Sequence, residues 1–103
     1  MSAPDPERLA DAVLRVDDVD SLYGGLGGEV ATYLPGKRVP GVRVRDGRVE
    51  IHIVVGGHRP VTDTARDVRR AVSPQVQSLP VDVIVGDIVE SAPRSRSGPS
   101  LPA

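Results

Sequence analysis

The stretch that decides the fold runs from residue 39 to residue 55 and reads VPGVRVRDGRVEIHIVV. Asp46-Gly47 lies between two runs in which apolar and charged residues alternate, which is the strongest short-range signal for a β-hairpin. A two-residue turn there predicts the pairs Arg45–Arg48, Val44–Val49, Arg43–Glu50 and Val42–Ile51. Valines and isoleucines then share one face of the hairpin and charged residues share the other. A shift of one residue would mix the two faces, so the register is well determined.

The composition predicts one small domain built around a sheet. The chain has 103 residues, with no Phe, no Trp and two Tyr, so Val, Ile, Leu and Ala must fill the core. The β-branched residues among them favour strands. The absence of cysteine excludes disulfides, thiolate metal sites and cysteine nucleophiles. Thirteen basic and fourteen acidic residues give a net charge of −1, which argues against a general nucleic-acid binder.

The sequence predicts a cytoplasmic protein. Its start, MSAPDPERLADAVLRV, has no basic segment followed by an apolar one, so it does not have the pattern of a secretory signal. The longest apolar run, Ile53-Val54-Val55, is far too short to span a bilayer. We therefore expect no direct membrane insertion, and any membrane association would be peripheral and through a partner.

Two helices are predicted, one on each side of the hairpin. The first runs from Pro6 to Val16, with Asp5 as its N-cap and Pro6 at the first helical position. The second has Thr62 as its N-cap, and Ser73-Pro74 should kink or break it near residues 70–72. Both carry apolar stripes at helical spacing. The stripes are Leu9, Ala12, Val13 and Val16 in the first helix and Ala65, Val68, Val72 and Val76 in the second.

Two further strands complete the predicted fold. Alternation predicts a strand over residues 29–34, followed by a turn at Pro35-Gly36. The segment PVDVIVGDIV, residues 80–89, predicts the last strand, with its odd-numbered valines on one face. We expect a single α+β domain over residues 6–90, in which a mixed or antiparallel sheet of about four strands is covered on one face by two helices. Residues 1–5 are predicted to be flexible, and residues 91–103, rich in Pro, Ser and Arg, are predicted to be a disordered tail.

The glycine cluster YGGLGG, residues 23–28, raises the question of a phosphate site. The Walker pattern fails, because Gly36-Lys37 is followed by Arg38 and not by Ser or Thr. The dinucleotide pattern also fails, because the segment after the glycines is predicted to be a strand and not a helix. We interpret these glycines as residues of a turning loop and predict that the chain binds no cofactor.

The remaining groups give no catalytic or metal-binding pattern. His52 and His58 are the only histidines and lack the spacing of a zinc site, so we expect both to be solvated. The serines lack a nucleophile elbow. The acidic run at residues 17–20 is interpreted as the exit of the first helix. No catalytic, cofactor-binding or metal-ligating residue is therefore assigned, and the chain is predicted not to be an enzyme.

Six arginines form two candidate partner-contact clusters. They are Arg43, Arg45 and Arg48 at the end of the hairpin, and Arg66, Arg69 and Arg70 on the second helix. Arg43 is expected to pair with Glu50 on the solvent side for about 1 kcal/mol at most. Either cluster could bind an acidic protein patch, a phosphate backbone or an anionic lipid head group. The alternative, in which the arginines only keep a nearly neutral domain soluble, is favoured.

Four segments form a recognisable pattern. They read ERLADAVLRVDDVDSLYGG, EVATYLPGKRVPGVRVRDGRVEIHIVV, VTDTARDVRRAV and PVDVIVGDIV. This pattern, from Glu7 to Val89, resembles the alkaline shock protein family, the Gls-type envelope stress response proteins, in its small actinobacterial form. The resemblance implies a non-enzymatic domain linked to cell-envelope homeostasis, with protein partners that can be membrane-anchored, and with self-association. The chain departs from the family pattern at Ser73-Pro74 and in its basic tail.

Two other functions remain open at this point. A small RNA-binding module is the alternative, since small α+β domains with arginines can bind single strands. The lack of Phe and Trp for stacking on bases, together with the net charge of −1, opposes it. A small-molecule enzyme or ligand carrier is the third hypothesis. The sequence favours an interaction domain, and nucleic acid is not the expected partner.

Overall fold

The hairpin at Asp46-Gly47 lies at the centre of the fold. The computed structural model describes residues 4–89. In it β4 (Val42–Arg45) and β5 (Arg48–Val55) pair antiparallel in the predicted register at all four positions. Asp46 and Gly47 have positive φ angles of 54° and 70°, which the predicted type I′ turn requires at both central residues.

β5 is the central strand of a mixed four-stranded sheet. It pairs in parallel with β6 (Val81–Ile88) along one edge. Along the other edge it pairs antiparallel with β4 over its first half and with β1 (Val19–Leu22) over its second half. β2 (Ala31–Leu34) and β3 (Lys37–Pro40) form a separate hairpin between β1 and β4 in the chain.

β1 and β4 lie end to end along the same edge of β5. The segment between them leaves this edge at Tyr23 and returns to it at Gly41, both beside His52. The N–H of Tyr23 donates to the His52 carbonyl at 2.8 Å, and the N–H of His52 donates to the Gly41 carbonyl at 2.8 Å. Gly41 has a φ of 81°. A Cβ there would lie 2.8 Å from Leu22 Cβ and 2.9 Å from the His52 carbonyl oxygen. Glycine is therefore the residue that fits this crossing without displacing β1 or β5.

Both helices, α1 (Pro6–Leu14) and α2 (Val61–Val76), pack on the same face of the sheet. The Asp5 carboxylate accepts the N–H of Glu7 at 3.0 Å, so the predicted N-cap of α1 is confirmed. The core between helices and sheet consists of aliphatic side chains with no exposed surface. Its largest members are Leu9, Val13, Val42, Val49, Ile51, Ile53, Val68 and Val72. The predicted α+β class, with a mixed sheet covered on one face by two helices, is confirmed.

The helix boundaries differ from the prediction. α1 ends at Leu14 and not at Val16, because the chain must turn there to enter β1. α2 begins two residues earlier than predicted, with Pro60 as its N-cap, whose carbonyl accepts the N–H groups of Asp63 and Thr64 at 3.0 and 3.3 Å. Thr62 is therefore inside the helix.

The predicted break in α2 at Ser73-Pro74 is wrong. The helix continues through Pro74 to Val76. Val72 and Val76, one on each side of the proline, are 0% and 4% exposed. Burial of two valine side chains, each worth about 1.5 kcal/mol or more, offsets much of the cost of one proline in the last turn, which is about 3 kcal/mol.

Two strands were missing from the prediction. β1 lies where the acidic run was interpreted as a helix exit, and β3 lies directly after the Pro35-Gly36 turn. The strand predicted over residues 29–34 is β2, which begins two residues later. The predictions for residues 1–3 and 90–103, including the tail, lie outside the described residues.

Candidate interaction surface

The first arginine cluster lies on the face of the sheet that points away from the helices. We call this face the outer face, and its position follows from the alternation of strand side chains with the buried valines and isoleucines. It carries Arg43, Arg45, Arg48, Glu50, His52, Asp82 and Ile84. The pairing of β5 with β4 and β6 brings Glu50 and Asp82 beside the arginines.

Arg43, Glu50 and His52 form a polar cluster in the middle of the outer face. Arg43 Nη2 lies 2.9 Å from Glu50 Oε1, and His52 Nε2 lies 3.4 Å from the same oxygen. The hydrogen bond from Arg43 is the largest effect that lowers the pKa of Glu50; burial raises this pKa, and the contact with His52 lowers it further. The predicted ion pair is confirmed. The prediction of a solvated His52 is wrong, because only 14% of its side chain is exposed.

Arg48 is held by a carboxylate of the neighbouring strand. Its Nε lies 2.8 Å from Asp82 Oδ2 and its Nη2 lies 3.0 Å from Oδ1, a bidentate contact from β5 to β6. This hydrogen bond lowers the pKa of Asp82. Arg45 and Arg48 lie directly opposite each other, and the Asp82 carboxylate offsets the repulsion between their charges. Arg45 is exposed and makes no ion pair within residues 4–89.

The second arginine cluster lies on α2, on the other side of the sheet. Arg66 contacts Asp63 and Asp67 at 3.3 and 3.5 Å. Arg69 and Arg70 are exposed and have no ion pair in the described part of the chain. The two clusters do not form one surface. An electrostatic link runs through Asp82, whose pKa Arg48 lowers most and Arg69 to a smaller extent.

The glycine cluster contacts a carboxylate of its own chain. The N–H of Gly27 donates to Glu29 Oε1 at 2.9 Å, and a Cβ at Gly25 would overlap the same carboxylate. The backbone N–H groups of Glu29 and Gly27 lower the pKa of Glu29. The loop amides that could hold a phosphate are thus directed at an internal anion, which agrees with the interpretation of these glycines as a turning loop.

A second glycine loop, Gly56-Gly57, follows β5 and precedes α2. In a strand–helix–strand unit this is where phosphates often bind. Here Asp18 fills the position: its carboxylate accepts the N–H of His58 at 3.1 Å and that of Arg59 at 3.2 Å. Asp18 has a φ of 71°, a conformation that Asp tolerates better than most residues. Sequence reasoning missed this role, although an aspartate beside a predicted turn was a usable signal.

β6 forms one edge of the sheet. In the described part of the chain it pairs with β5 and with no other strand. On the outer face Ile84 is 37% exposed, and at the end of the strand Ile88 is 56% exposed. The ring of Tyr23 crosses β5 and lies against Gly86, where any Cβ would overlap it. Sequence reasoning missed Tyr23 and Ile84; a glycine within an alternating strand was the available signal for the close contact.

A cleft of about 570 Å³ lies between α1 and β3. Charges of both signs line it, among them Glu7, Arg8, Asp11 and Arg38. Glu7 is engaged by Lys37 at 2.9 Å, and this contact raises the pKa of Lys37. Within residues 4–89, no group of three or more His, Asp or Glu side chains is arranged to hold a metal ion. The outer face, with its exposed cation and free strand edge, is the stronger candidate surface.

The fold and this surface define a two-layer α+β domain whose mixed sheet has one face without helices. Comparison of the chain with protein-family models, with curated proteins and with solved structures gives no match. Within residues 4–89, no helix has both the length and the apolar character needed to cross a bilayer.

Proposed function

We propose that this chain is a non-enzymatic interaction domain of the cell-envelope stress response, which binds a protein partner through the outer face and also self-associates. The observation that carries the proposal is the outer face itself. It has no covering helix, and it presents the exposed, unpaired Arg45 and the partly exposed Ile84 within residues 4–89. Such a combination of a free cation and an aliphatic side chain suits a protein surface.

The charges of the outer face indicate the chemistry of the partner. Arg43 and Arg48 are already neutralised by Glu50 and Asp82. Arg45 is left to bind a carboxylate from outside, since a charge-assisted contact of this kind is stronger than one between neutral groups. The partner is therefore a protein with a carboxylate for Arg45 and, at a separate position, an aliphatic group for Ile84, since β5 separates the two residues.

The link to the envelope is supported by the sequence resemblance from Glu7 to Val89. On that basis the partner is anchored in the membrane or attached to it, and this chain works from the cytoplasm. The outer face and the charge of Arg45 support the proposed site and chemistry of that contact.

The test is affinity capture from native cells with in-cell crosslinking, using the tagged full chain and two matched variants. Arg45→Glu and Arg70→Glu make the same charge change at exposed arginines without ion pairs in residues 4–89, one on the outer face and one on α2. We expect Arg45→Glu to lose an envelope-linked protein that the parent chain and Arg70→Glu both retain. Loss with Arg70→Glu alone would move the site to α2, and retention by both variants would refute the outer face.

RNA binding is examined with the same proteins. A shift of single-stranded RNA that weakens with salt and is lost with Arg45→Glu would identify the outer face as a nucleic-acid surface and overturn the proposal. Capture of partners that include no envelope-linked protein would refute the envelope link.

A further inference from the structure

The free edge of β6 offers backbone groups in a defined pattern. Val49 pairs with Val81, and its N–H donates to the Pro80 carbonyl at 2.9 Å. In a parallel ladder the residues of a strand alternate in the direction of their backbone groups. Val81, Val83 and Val85 therefore direct their N–H and C=O groups away from β5, to the edge that has no partner within residues 4–89.

The devices that usually protect such an edge are weak here. Edge strands in natural proteins are commonly short, or carry free charges and prolines. β6 has eight residues, and proline is absent from it. Its pairing with β5 is irregular between Val85 and Asp87, and Asp87 is exposed, so these two protective features lie at the end of the strand, while residues 81–85 pair regularly. The charge of Asp82 is engaged by Arg48. The edge is thus open to another strand.

We infer that β6 pairs antiparallel with β6 of a second copy of this chain, about a two-fold axis at Ile84. This register sets Val83 opposite Val85 of the second copy, so that two pairs exchange backbone hydrogen bonds. Ile84 meets Ile84, an aliphatic pair on the outer face, and Asp82 meets Gly86. Ile84, Val83 and Val85 thus face apolar side chains, Asp87 lies opposite Val81 at the end of the strand, and no two carboxylates face each other.

The neighbouring registers are less favourable. A two-fold axis at Val83 would set Asp82 opposite Ile84 of the second copy, and would do so twice. An axis at Val85 would set Ile84 opposite Gly86 and leave the aliphatic pair unformed. Self-complementarity about Ile84 is what identifies a second copy as the occupant, because a closed two-fold contact requires each surface to match itself.

This inference rests on the self-association part of the proposed function and is independent of partner capture. The chain has no cysteine, so Ile84→Cys introduces its single thiol. Opposed residues in a non-hydrogen-bonded pair lie about 4.5 Å apart between Cα atoms, within disulfide range. We expect Ile84→Cys to form a disulfide dimer readily under mild oxidation. Ile88→Cys is the control on the same strand, since its two copies would lie about 26 Å apart.

Charge variants at the same position give an independent readout by sedimentation equilibrium. We expect the parent chain to dimerise, Ile84→Lys and Ile84→Glu each to be monomeric, and their equimolar mixture to dimerise again. Leu26→Lys, at a residue that is 97% exposed and remote from β6 in the chain, should behave as the parent does. If circular dichroism shows that a charge variant is unfolded, the disulfide experiment alone tests the pairing of β6.

The two proposals can fail separately. A monomeric parent chain, or equal crosslinking of Ile84→Cys and Ile88→Cys, overturns pairing at β6, even when the envelope-linked partner is captured. A dimer with the predicted charge behaviour and no captured partner supports pairing at β6 and refutes partner binding.

Discussion

Replacement of Gly41 by alanine should be far more damaging than replacement of Gly36, although both glycines have nearly the same φ angle. Their φ angles are 81° and 76°. A left-handed conformation costs a non-glycine residue about 1–2 kcal/mol. Alanine also lowers the conformational entropy of the unfolded chain, which stabilises the folded state by about 0.4–1 kcal/mol. Gly36→Ala, with no atom within 4 Å of its new Cβ, should therefore lose about 0–1.6 kcal/mol of stability.

Gly41→Ala adds a steric cost. Its Cβ would lie 2.8 Å from Leu22 Cβ, 2.9 Å from the His52 carbonyl oxygen and 3.1 Å from the Tyr23 nitrogen. These atoms belong to paired strands and cannot rotate away. Overpacking of this kind costs about 1–3 kcal/mol, so we expect a total loss of about 1–5 kcal/mol.

The assay is urea unfolding followed by far-ultraviolet circular dichroism, since the chain has no tryptophan. The free energies of unfolding of the parent and the two variants are compared at equal m-values. A difference between Gly41→Ala and Gly36→Ala of less than about 0.5 kcal/mol, the usual size of a neutral surface change, would refute the end-to-end arrangement of β1 and β4 on β5.

Three further predictions concern the carboxylates. A double-mutant cycle on Arg43 and Glu50 should give a coupling of about 0.5–1 kcal/mol by urea unfolding, and a coupling near zero would contradict the partly buried geometry of the pair. Because folding lowers the pKa of Glu50, its contribution is complete above the unfolded pKa of about 4.3 and is lost as pH falls through the lower folded pKa. The stability difference between the parent and Glu50→Gln should therefore shrink in acid, and a constant difference would oppose this. Asp18→Ala should cost about 1–2 kcal/mol through its lost backbone hydrogen bonds, while Asp17→Ala, exposed and without such bonds in residues 4–89, should be nearly neutral; equal losses would refute the role of Asp18.

The sequence predicts the parts of the fold that depend on local patterns. The register of the central hairpin follows from alternation and from Asp46-Gly47, and the start of α1 follows from Asp5-Pro6. The last strand follows from its alternating valines. Each of these signals lies within a few residues of the element that it specifies.

The parts that sequence reasoning missed depend on contacts between distant residues. β1 is a strand because β5 supplies its pairing partners more than thirty residues later. The continuation of α2 through Pro74 depends on buried valines, which a local proline rule does not consider. Tertiary packing overrode the local preference in both cases.

The candidate surface was predictable only in part. The Arg43–Glu50 pair follows from the hairpin register. The partner of Arg48 is Asp82, from a strand that is adjacent only in three dimensions. The same is true of Asp18, which closes the loop before α2 from forty residues away.

The proposed pairing of two copies depends most directly on the free edge of β6. Amide hydrogen exchange measures the protection of this edge residue by residue. We expect the amides of Val83 and Val85 to become more protected as protein concentration rises, and the amide of Ile53, in the central strand, to be protected at every concentration. Exchange of Val83 and Val85 that is fast and independent of concentration would contradict pairing at the edge of β6.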